Sequence, residues 1–237
     1  MSENDNRSIV KLTLIDKKEE VPNVASFIFQ SETPFSWSAG QFLRYHLDDP
    51  NTGTESMDRF FTIASAPFEK NLMLTTRFSP GDGSTFKKDL QELKIGDHIE
   101  AQEPAGAFVI KDPDQNYIFI AGGIGITPFR SILLDLDHNN LPINVTLLYA
   151  NRDQNIVYKD TLDQLVQKYP SLKIYYIIDP QRIDEQTIRS LISDIRHPVY
   201  YISGPKPMVE AMEKILAGIG IPEDHIKHDY FPGYKSI

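Results

Sequence analysis

Four buried-strand patterns, each followed by a helical pattern, fill the second half of the chain and constrain its fold more than any other feature. The apolar runs are YIFIAGG, NVTLLYA, KIYYIID and PVYYISG, and the helical patterns are TPFRSILLDL, VYKDTLDQLVQKY, EQTIRSLI and KPMVEAMEKIL. Strands that alternate with helices in this way build a parallel sheet with helices on its faces. The pattern predicts a doubly wound α/β domain over residues 116–237.

The first half of the chain has a different rhythm. Short apolar or alternating stretches follow one another there, separated by turn-like pieces such as DDPNTG, SAPFEKN and SPGDG. The stretches are IVKLTLI, VASFIFQ, QFLRYHL, RFFTIAS, LMLTTRF and DHIEAQEP. Evenly spaced strands with little helix predict an antiparallel barrel or sandwich over residues 1–111. One short helix is expected at STFKKDLQEL, where Phe86, Leu90 and Leu93 share a face.

Composition excludes several classes of function. The 237 residues contain 41% hydrophobic residues, which supports a substantial core, and carry a formal charge of −9 with no basic run. That charge argues against nucleic acid and against an anionic membrane as a partner. The absence of cysteine excludes disulfides, a cysteine nucleophile and cysteine-ligated iron–sulfur clusters within this chain. With no leader-like start and no apolar run long enough for a membrane span, the expected compartment is the cytoplasm.

The loop AGGIGITPF joins the first strand of the α/β half to its helix. Gly122, Gly123 and Gly125 would let the backbone approach a ligand closely, and Pro128 suits a first helical turn. Thr127 is then expected to be the N-cap, with the free N–H groups of the turn forming an anion site. For the glycines alone, a tight connection without a ligand is an equal alternative.

A second stiff turn, SGPKPM, follows the fourth strand. Gly204, Pro205 and Pro207 lie there, and the carboxyl ends of parallel strands share one edge of the sheet. Two such turns on one edge favour nucleotide binding over mere connection.

These motifs, in this order, resemble those of the ferredoxin-NADP reductase superfamily, and the resemblance covers nearly the whole chain. Members join a flavin-binding barrel to a nicotinamide-binding parallel sheet. The segments that carry the resemblance are GQF, RFFTIAS, GSTFKKDL, GGIGITP, SGPKPM and the terminal DYFPGY.

The family's flavin motif, Arg-x-Tyr-Ser/Thr, stands here as Arg59, Phe60, Phe61 and Thr62. A lone cation in an apolar strand is expected to pair with a buried anion, which a flavin phosphate would supply. The alternative is that Arg59 pairs with Asp58 or another carboxylate. The resemblance implies that Phe61 packs on the flavin without offering a hydroxyl, and that Thr62 lies near flavin N5 as a catalytic residue.

The resemblance also assigns further contacts to the flavin and the nucleotide. A second flavin phosphate contact falls on the stretch GDGSTF, and Thr76 belongs to the same flavin site. FAD is the family's usual cofactor, and FMN is the alternative. By the same resemblance the glycine loop holds the pyrophosphate of NAD(P)H, and Ser203, in place of the family's cysteine, lies by the nicotinamide as a second catalytic residue. The residues implied are Gly83, Ser84 and Thr85 for the flavin, and Gly122, Gly123, Gly125, Thr127, Pro128, Gly204, Pro205 and Met208 for the nicotinamide nucleotide.

Two segments leave alternatives open. Asn151 and Arg152 follow the second strand in YANRDQN, where Arg152 could clamp a 2′-phosphate although YAN also resembles the NADH-using branch; NADH is the preferred expectation. At the carboxyl end, Phe231 is expected either to cover the flavin or to pack in the core as part of a final strand, IKHDYF.

The expected function is therefore a flavoprotein reductase that takes hydride from NADH or NADPH onto FAD and serves an external carrier such as ferredoxin. An NAD(P)H:flavin reductase that releases its flavin, and a non-catalytic electron-transfer or nucleotide-sensing subunit, are the alternatives. The six histidines lack metal-ligand spacing, so no metal site is expected. A monomer is expected, without nucleic acid or membrane insertion.

Overall fold

The computed structural model describes residues 9–47, 57–78 and 85–231, apart from the side chains of Met57, Tyr230 and Phe231. The chain divides into two compact units, Met1–Ala107 and Phe108–Ile237. The sequence predicts domains at residues 1–111 and 116–237, joined by a link at residues 112–115. That each of them folds independently stays a prediction.

The first unit contains a six-stranded sheet in which neighbouring strands run antiparallel. Its order is β4-β3-β6-β1-β2-β5. The strands are β1 (Ile9–Val21), β2 (Val24–Ser31), β3 (Phe42–Leu47), β4 (Met57–Thr62), β5 (Leu72–Arg77) and β6 (His98–Gln102). All six predicted strands are confirmed.

The two edges of this sheet approach each other, which gives the unit its barrel form. The segment after β4 reaches β5, where the Ala64 N–H donates to the Met73 carbonyl at 2.7 Å and the Met73 N–H donates to the Ser65 hydroxyl at 3.0 Å. Large side chains from the inner face, including Phe27 and Phe29, fill the interior. Closure of this kind reduces the number of unpaired backbone groups at the sheet edges.

The predicted helix of the first unit is present as α1 (Thr85–Glu92). Phe86 and Leu90 are fully buried on its inner face, and Leu93 packs partly buried just beyond its end. The Lys17 ammonium donates to the carbonyls of Gln91 and Leu93 at 2.7 and 2.8 Å. These bonds satisfy carbonyls that a helix end leaves without intrahelical partners.

The second unit is a five-stranded parallel sheet with the order β11-β10-β7-β8-β9. The four predicted strands and four predicted helices are confirmed, and a fifth strand follows them. The strands are β7 (Tyr117–Gly122), β8 (Val145–Asn151), β9 (Lys173–Ile178), β10 (Val199–Pro205) and β11 (Ile226–Phe231); the helices are α2 (Thr127–His138), α3 (Lys159–Lys168), α4 (Glu185–Leu191) and α5 (Lys206–Gly218).

The strand order places a switch point beside β7. The chain moves outward from β7 through β8 to β9, then returns to lay β10 on the other side of β7. Helices α4 and α5 pack on one face of the sheet through residues such as Ile188 and Val209, and Phe129 of α2 stacks on Phe119 at the other face. In open parallel sheets, ligands bind at the carboxyl ends of the strands where the order reverses.

Candidate nucleotide and flavin sites

Gly123 is the residue of the glycine loop whose backbone requires glycine. Residues Gly123–Ile126 form a short 3-10 helix after β7, and Gly123 has φ = +53°. A Cβ built on Gly123 would meet nothing within 4 Å, so space is not the constraint. The left-handed conformation, which L side chains adopt only at a cost, accounts for this glycine.

The other glycines of the two turns are required by close packing. A Cβ on Gly125 would lie 2.3 Å from the Ser203 carbonyl oxygen, and a Cβ on Gly122 would lie 2.2 Å from the Met208 sulfur. A Cβ on Gly204 would lie 3.2 Å from the Cα of Gly122. The turns after β7 and β10 therefore lie against each other at the switch point, as the sequence predicts. This contact explains these three glycines whether or not a ligand binds.

Ser203 lies at the contact between these two turns. It is fully buried on β10 and pairs with Ala121 of β7. Its hydroxyl oxygen is buried and has no hydrogen-bond partner among the residues that the structure describes. A buried hydroxyl without a partner is costly, so this atom keeps an unused capacity for hydrogen bonding beside the two turns.

The start of α2 corrects one expectation. Thr127 is not the N-cap: it is the first residue of the helix, with φ and ψ of −55° and −48°, and its hydroxyl donates to the Ile124 carbonyl at 3.2 Å. The physical reason is that the 3-10 turn runs directly into α2 and leaves no extended residue at the junction. The prediction that Pro128 lies in the first turn is confirmed. The first N–H groups of this continuous turn face the carboxyl edge and suit an anion.

The segment after β8 borders the same edge of the sheet. Asn151 is buried, and its amide donates to the Tyr149 carbonyl at 3.3 Å, whereas Arg152 is exposed. Tyr149 is fully buried, and its hydroxyl donates to the Gly123 carbonyl at 3.1 Å. Arg152 is thus free to turn toward a ligand, while Asn151 and Tyr149 are held by the backbone around them.

Two tyrosines of β10 have pKa values displaced by their surroundings. Burial raises the pKa of both Tyr200 and Tyr201 to about 12, and their hydroxyls donate to the carbonyls of Ile195 and Val109 at 2.8 Å. These groups stay protonated at neutral pH, and their role is structural.

The predicted flavin motif lies on β4, an edge strand of the barrel. Arg59 is exposed, Phe60 is 41% exposed, Phe61 is half-buried and Thr62 is buried. Phe61 packs against the rings of Tyr45 and Phe86, with centroid distances of 5.9 and 5.6 Å. Thr76 is buried on β5, the strand at the other edge of the sheet. In the strand order it is therefore far from the motif on β4, and its backbone lies where the two edges approach each other.

Arg59 was expected to be a buried cation, but its side chain is exposed. Its guanidinium donates to the backbone carbonyl of Asp58 at 2.8 Å, and no carboxylate pairs with it within the described part of the chain. The Asp58 carboxylate is instead bound by Arg44 and by His46, the latter at 2.9 Å. The pairing of Arg59 with the Asp58 carboxylate is therefore wrong, and the exposed guanidinium remains able to take a phosphate.

Some expected contacts lie partly or wholly outside the described residues. Gly83 and Ser84 fall outside them, and Thr85 is the exposed first residue of α1. Phe231 is the last residue of β11, where its backbone pairs in register with Pro205 of β10. The final strand is thus present and ends at the edge where the two turns meet, while the contacts of the Phe231 side chain lie outside the described set.

The described residues also bear on metals and membranes. Over residues 9–47, 57–78 and 85–231, no group of three or more histidine or carboxylate side chains is arranged to hold a metal ion. No helix in that part of the chain is long and apolar enough to cross a membrane.

Comparison with known proteins shows which reductases the chain is similar to. Residues 119–214 match the family described as the oxidoreductase NAD-binding domain. The ferredoxin reductase component of 3-ketosteroid-9-alpha-monooxygenase from Mycolicibacterium smegmatis is 27% identical over 96% of this chain and 67% of that protein. Among solved structures, ferredoxin-NADP+ reductase from Plasmodium falciparum superposes with a TM-score of 0.78 at 21% identity, covering 94% of this chain and 96% of that one.

The fold of the chain is that of the ferredoxin-NADP reductase superfamily. The FAD/NAD binding domain of nitric oxide dioxygenase from Vibrio cholerae has the same two-part fold, with a TM-score of 0.81 at 20% identity, and is covered over 98% of its length against 94% of this chain. The chain spans about two thirds of the length of the curated relatives it matches. The NAD-binding domain match and the curated relatives indicate that the chain is an NAD(P)H-dependent oxidoreductase.

Tyr149, whose hydroxyl contacts the glycine loop at the carboxyl edge of the sheet, was not expected from the sequence. The available signal was a tyrosine within the otherwise apolar run NVTLLYA, because a buried tyrosine hydroxyl needs a hydrogen-bond partner. The identity of that partner, a carbonyl of the glycine loop, depends on how β7 and β8 pair.

Proposed function

We propose that this reductase oxidises NAD(P)H through bound FAD and passes the electrons to an external redox protein. The observation that carries the proposal is the match of residues 119–214 to an oxidoreductase NAD-binding domain, in which the glycine loop and the Ser203–Pro205 turn meet at the switch point of the sheet. A bound flavin supplies the chemistry, because it accepts two electrons from a nicotinamide and releases them to an acceptor.

The second unit would bind the nucleotide. Backbone N–H groups of Gly123 and of the following turn donate to the pyrophosphate, and Thr127 and Pro128 fix the direction of that turn. Gly122 and Gly125 keep the turn close to β10. Ser203 offers its unpartnered buried hydroxyl to the nicotinamide carboxamide, with Gly204, Pro205 and Met208 shaping the surface beside it.

The first unit would bind the flavin. The exposed Arg59 guanidinium takes a phosphate, and its accessibility and freedom from a described carboxylate fit that role. Phe61 presents a half-buried ring, Phe60 an exposed one, and Thr62 a buried hydroxyl next to them. Thr76 and the helix start at Gly83, Ser84 and Thr85 complete the proposed set. FAD rather than FMN is proposed because FAD is named for solved relatives of the same fold.

The proposed electron donor is NADH. The residues after β8 include one exposed cation, Arg152, and an exposed carboxylate, Asp153, which favours free ribose hydroxyls over a 2′-phosphate. A kinetic preference of more than about tenfold for NADPH, which equals about 1.4 kcal/mol, would contradict this assignment.

The proposed acceptor is a ferredoxin-type protein, because the described chain has no cysteine for a cluster and a curated relative is named as a ferredoxin reductase component. A basic docking patch would draw on Lys88 and Lys94, which are exposed. Arg44 and Lys87 contribute less, since Arg44 binds Asp58 and Lys87 donates to the Arg77 carbonyl at 2.8 Å.

Phe231 is proposed to shield the flavin until the nicotinamide enters. The support is that β11 ends in register with Pro205, at the nucleotide edge of the sheet. Substitution Phe231→Ala should change the KM for the nucleotide and leave the flavin bound; unchanged kinetics would remove this role.

We further propose that the protein is a cytoplasmic monomer. Light scattering after gel filtration measures its molar mass and so tests whether it is a monomer.

An absorption spectrum followed by anaerobic titration tests the function. The purified protein should be yellow, and NADH should bleach its flavin absorption. A colourless protein that reduces added flavin would be an NAD(P)H:flavin reductase instead. Flavin that neither NADH nor NADPH bleaches would make the chain a non-catalytic subunit.

A further inference from the structure

Tyr149 connects the second strand of the parallel sheet to the glycine loop. Its side chain is fully buried, and its hydroxyl donates to the Gly123 carbonyl at 3.1 Å. The same hydroxyl lies 3.4 Å from the Val157 carbonyl, in the segment that leads into α3. One buried hydroxyl therefore contacts both segments that border the proposed nucleotide site.

The contact with Gly123 fixes the orientation of one peptide group. Gly123 has a left-handed φ and begins the 3-10 helix Gly123–Ile126, so the Tyr149 bond acts on the first peptide of that helix in addition to its backbone bonds. In a planar trans peptide the carbonyl and the next N–H point in opposite directions. When Tyr149 holds the Gly123 carbonyl inward, the Ile124 N–H points outward at the beginning of the turn.

We propose that Tyr149 is a positioning residue for the pyrophosphate of NAD(P)H, acting through the peptide between Gly123 and Ile124. This inference rests on the proposed function. Without the hydroxyl, only the backbone bonds of the 3-10 helix hold that peptide, and its N–H then spends less time directed at the phosphate. The residue contributes to nucleotide affinity and takes no part in the transfer of electrons.

The other buried tyrosines provide a contrast. Tyr200 is also fully buried in the same sheet and donates to a backbone carbonyl, that of Ile195 at 2.8 Å. That carbonyl precedes the amino end of β10, at the opposite edge from the glycine loop. Loss of the Tyr200 hydroxyl therefore removes a comparable hydrogen bond without touching the nucleotide edge.

The test compares Tyr149→Phe with Tyr200→Phe in the full-length, flavin-loaded protein. For Tyr149→Phe, we expect the KM for NADH to rise about three- to tenfold, the effect of one hydrogen bond, with kcat within twofold of the parent. Calorimetric titration with ADP-ribose, which carries the pyrophosphate, should show the same loss of affinity. Inhibition by adenosine, which lacks phosphate, should not change. Tyr200→Phe should leave all four quantities unchanged.

Unchanged KM and ADP-ribose affinity in Tyr149→Phe, or an equal loss in Tyr200→Phe, would overturn the inference. Should Tyr149→Phe fail to fold, Gly123→Ala perturbs the same peptide through its φ and is expected to give the same KM shift with constant kcat; no shift there would also overturn it. A parent protein that neither oxidises NAD(P)H nor binds ADP-ribose would instead refute the proposed function, which separates the two failures.

Discussion

At the carboxyl edge of the parallel sheet, Gly125 is required because a single added carbon atom would clash with a neighbouring strand. A methyl group there would lie 2.3 Å from the Ser203 carbonyl oxygen and 2.5 Å from its carbon, and backbone cannot move aside as a flexible side chain can. We expect Gly125→Ala to lower the free energy of unfolding by about 2–3 kcal/mol, measured by urea denaturation.

Gly218 supplies the matched control for that substitution. It is the last residue of α5, with nothing within 4 Å of a built Cβ. Gly218→Ala should change stability by about 1 kcal/mol or less, in the stabilising direction. Equal effects of the two substitutions would contradict the steric explanation of Gly125.

Arg59 allows a direct test of the flavin site. Because its guanidinium is exposed and is bonded to a backbone carbonyl rather than a described carboxylate, its removal should cost little stability. We expect Arg59→Ala to weaken FAD binding by about tenfold or more, through loss of a charge-assisted bond to phosphate. Flavin fluorescence during titration of the apoprotein measures this affinity.

Arg189 is a suitable control, since it is an exposed arginine of α4 that pairs with Glu185 at 2.8 Å. Arg189→Ala should leave FAD affinity unchanged. If both arginine variants bind FAD as the parent does, Arg59 is not a phosphate ligand.

At the scale of elements, Asp137 ties α2 to the end of α3. Burial opposes ionisation of its carboxyl, but hydrogen bonds from Lys168 and Tyr169 outweigh that effect and lower the pKa of Asp137. Because the folded pKa lies below the unfolded one, the stabilisation is complete above the unfolded value of about 3.9 and is lost as pH falls through the folded pKa.

Substitution Asp137→Asn should therefore lower the free energy of unfolding by about 1 kcal/mol at pH 7, and the difference from the parent should shrink as the solution is acidified below about pH 4. Urea denaturation at several pH values measures it. Glu210→Gln, which removes only an exposed pair with Lys206 at 3.7 Å, should have a much smaller effect. A pH-independent difference for Asp137→Asn would contradict the carboxylate explanation.

At the scale of the whole molecule, each unit has a core of its own. Residues 108–237 contain the parallel sheet and both turns of the proposed nucleotide site. We expect this fragment to fold cooperatively and to bind ADP-ribose with an affinity within about threefold of the full chain, because neither property uses the first unit. Circular dichroism and calorimetry measure the two properties; a fragment that folds but does not bind would move part of the nucleotide site to the first unit.

The elements of both units were predictable because their signals are local. Apolar residues at every second position, or in short continuous runs, predicted every strand from β1 to β10. Apolar residues with a repeat of 3.6 positions predicted the helices. Details that depend on neighbours were not predictable. From the sequence, Thr127 is expected to be an N-cap, but the 3-10 turn before it determines its backbone conformation. Arg59 is expected to be buried in an apolar strand, but its position on an edge strand exposes it.

By itself, the sequence determined the strand and helix pattern, the glycine and proline turns, the absence of cysteine and, through those motifs, the resemblance to the reductase superfamily. Tertiary structure alone decided that Gly125 must make room for the Ser203 carbonyl, that the Ser203 hydroxyl is left without a described partner, and that Tyr149 holds the glycine loop. The reason is that periodicity records which face of an element is apolar, whereas contacts between turns arise only when distant strands pair in register.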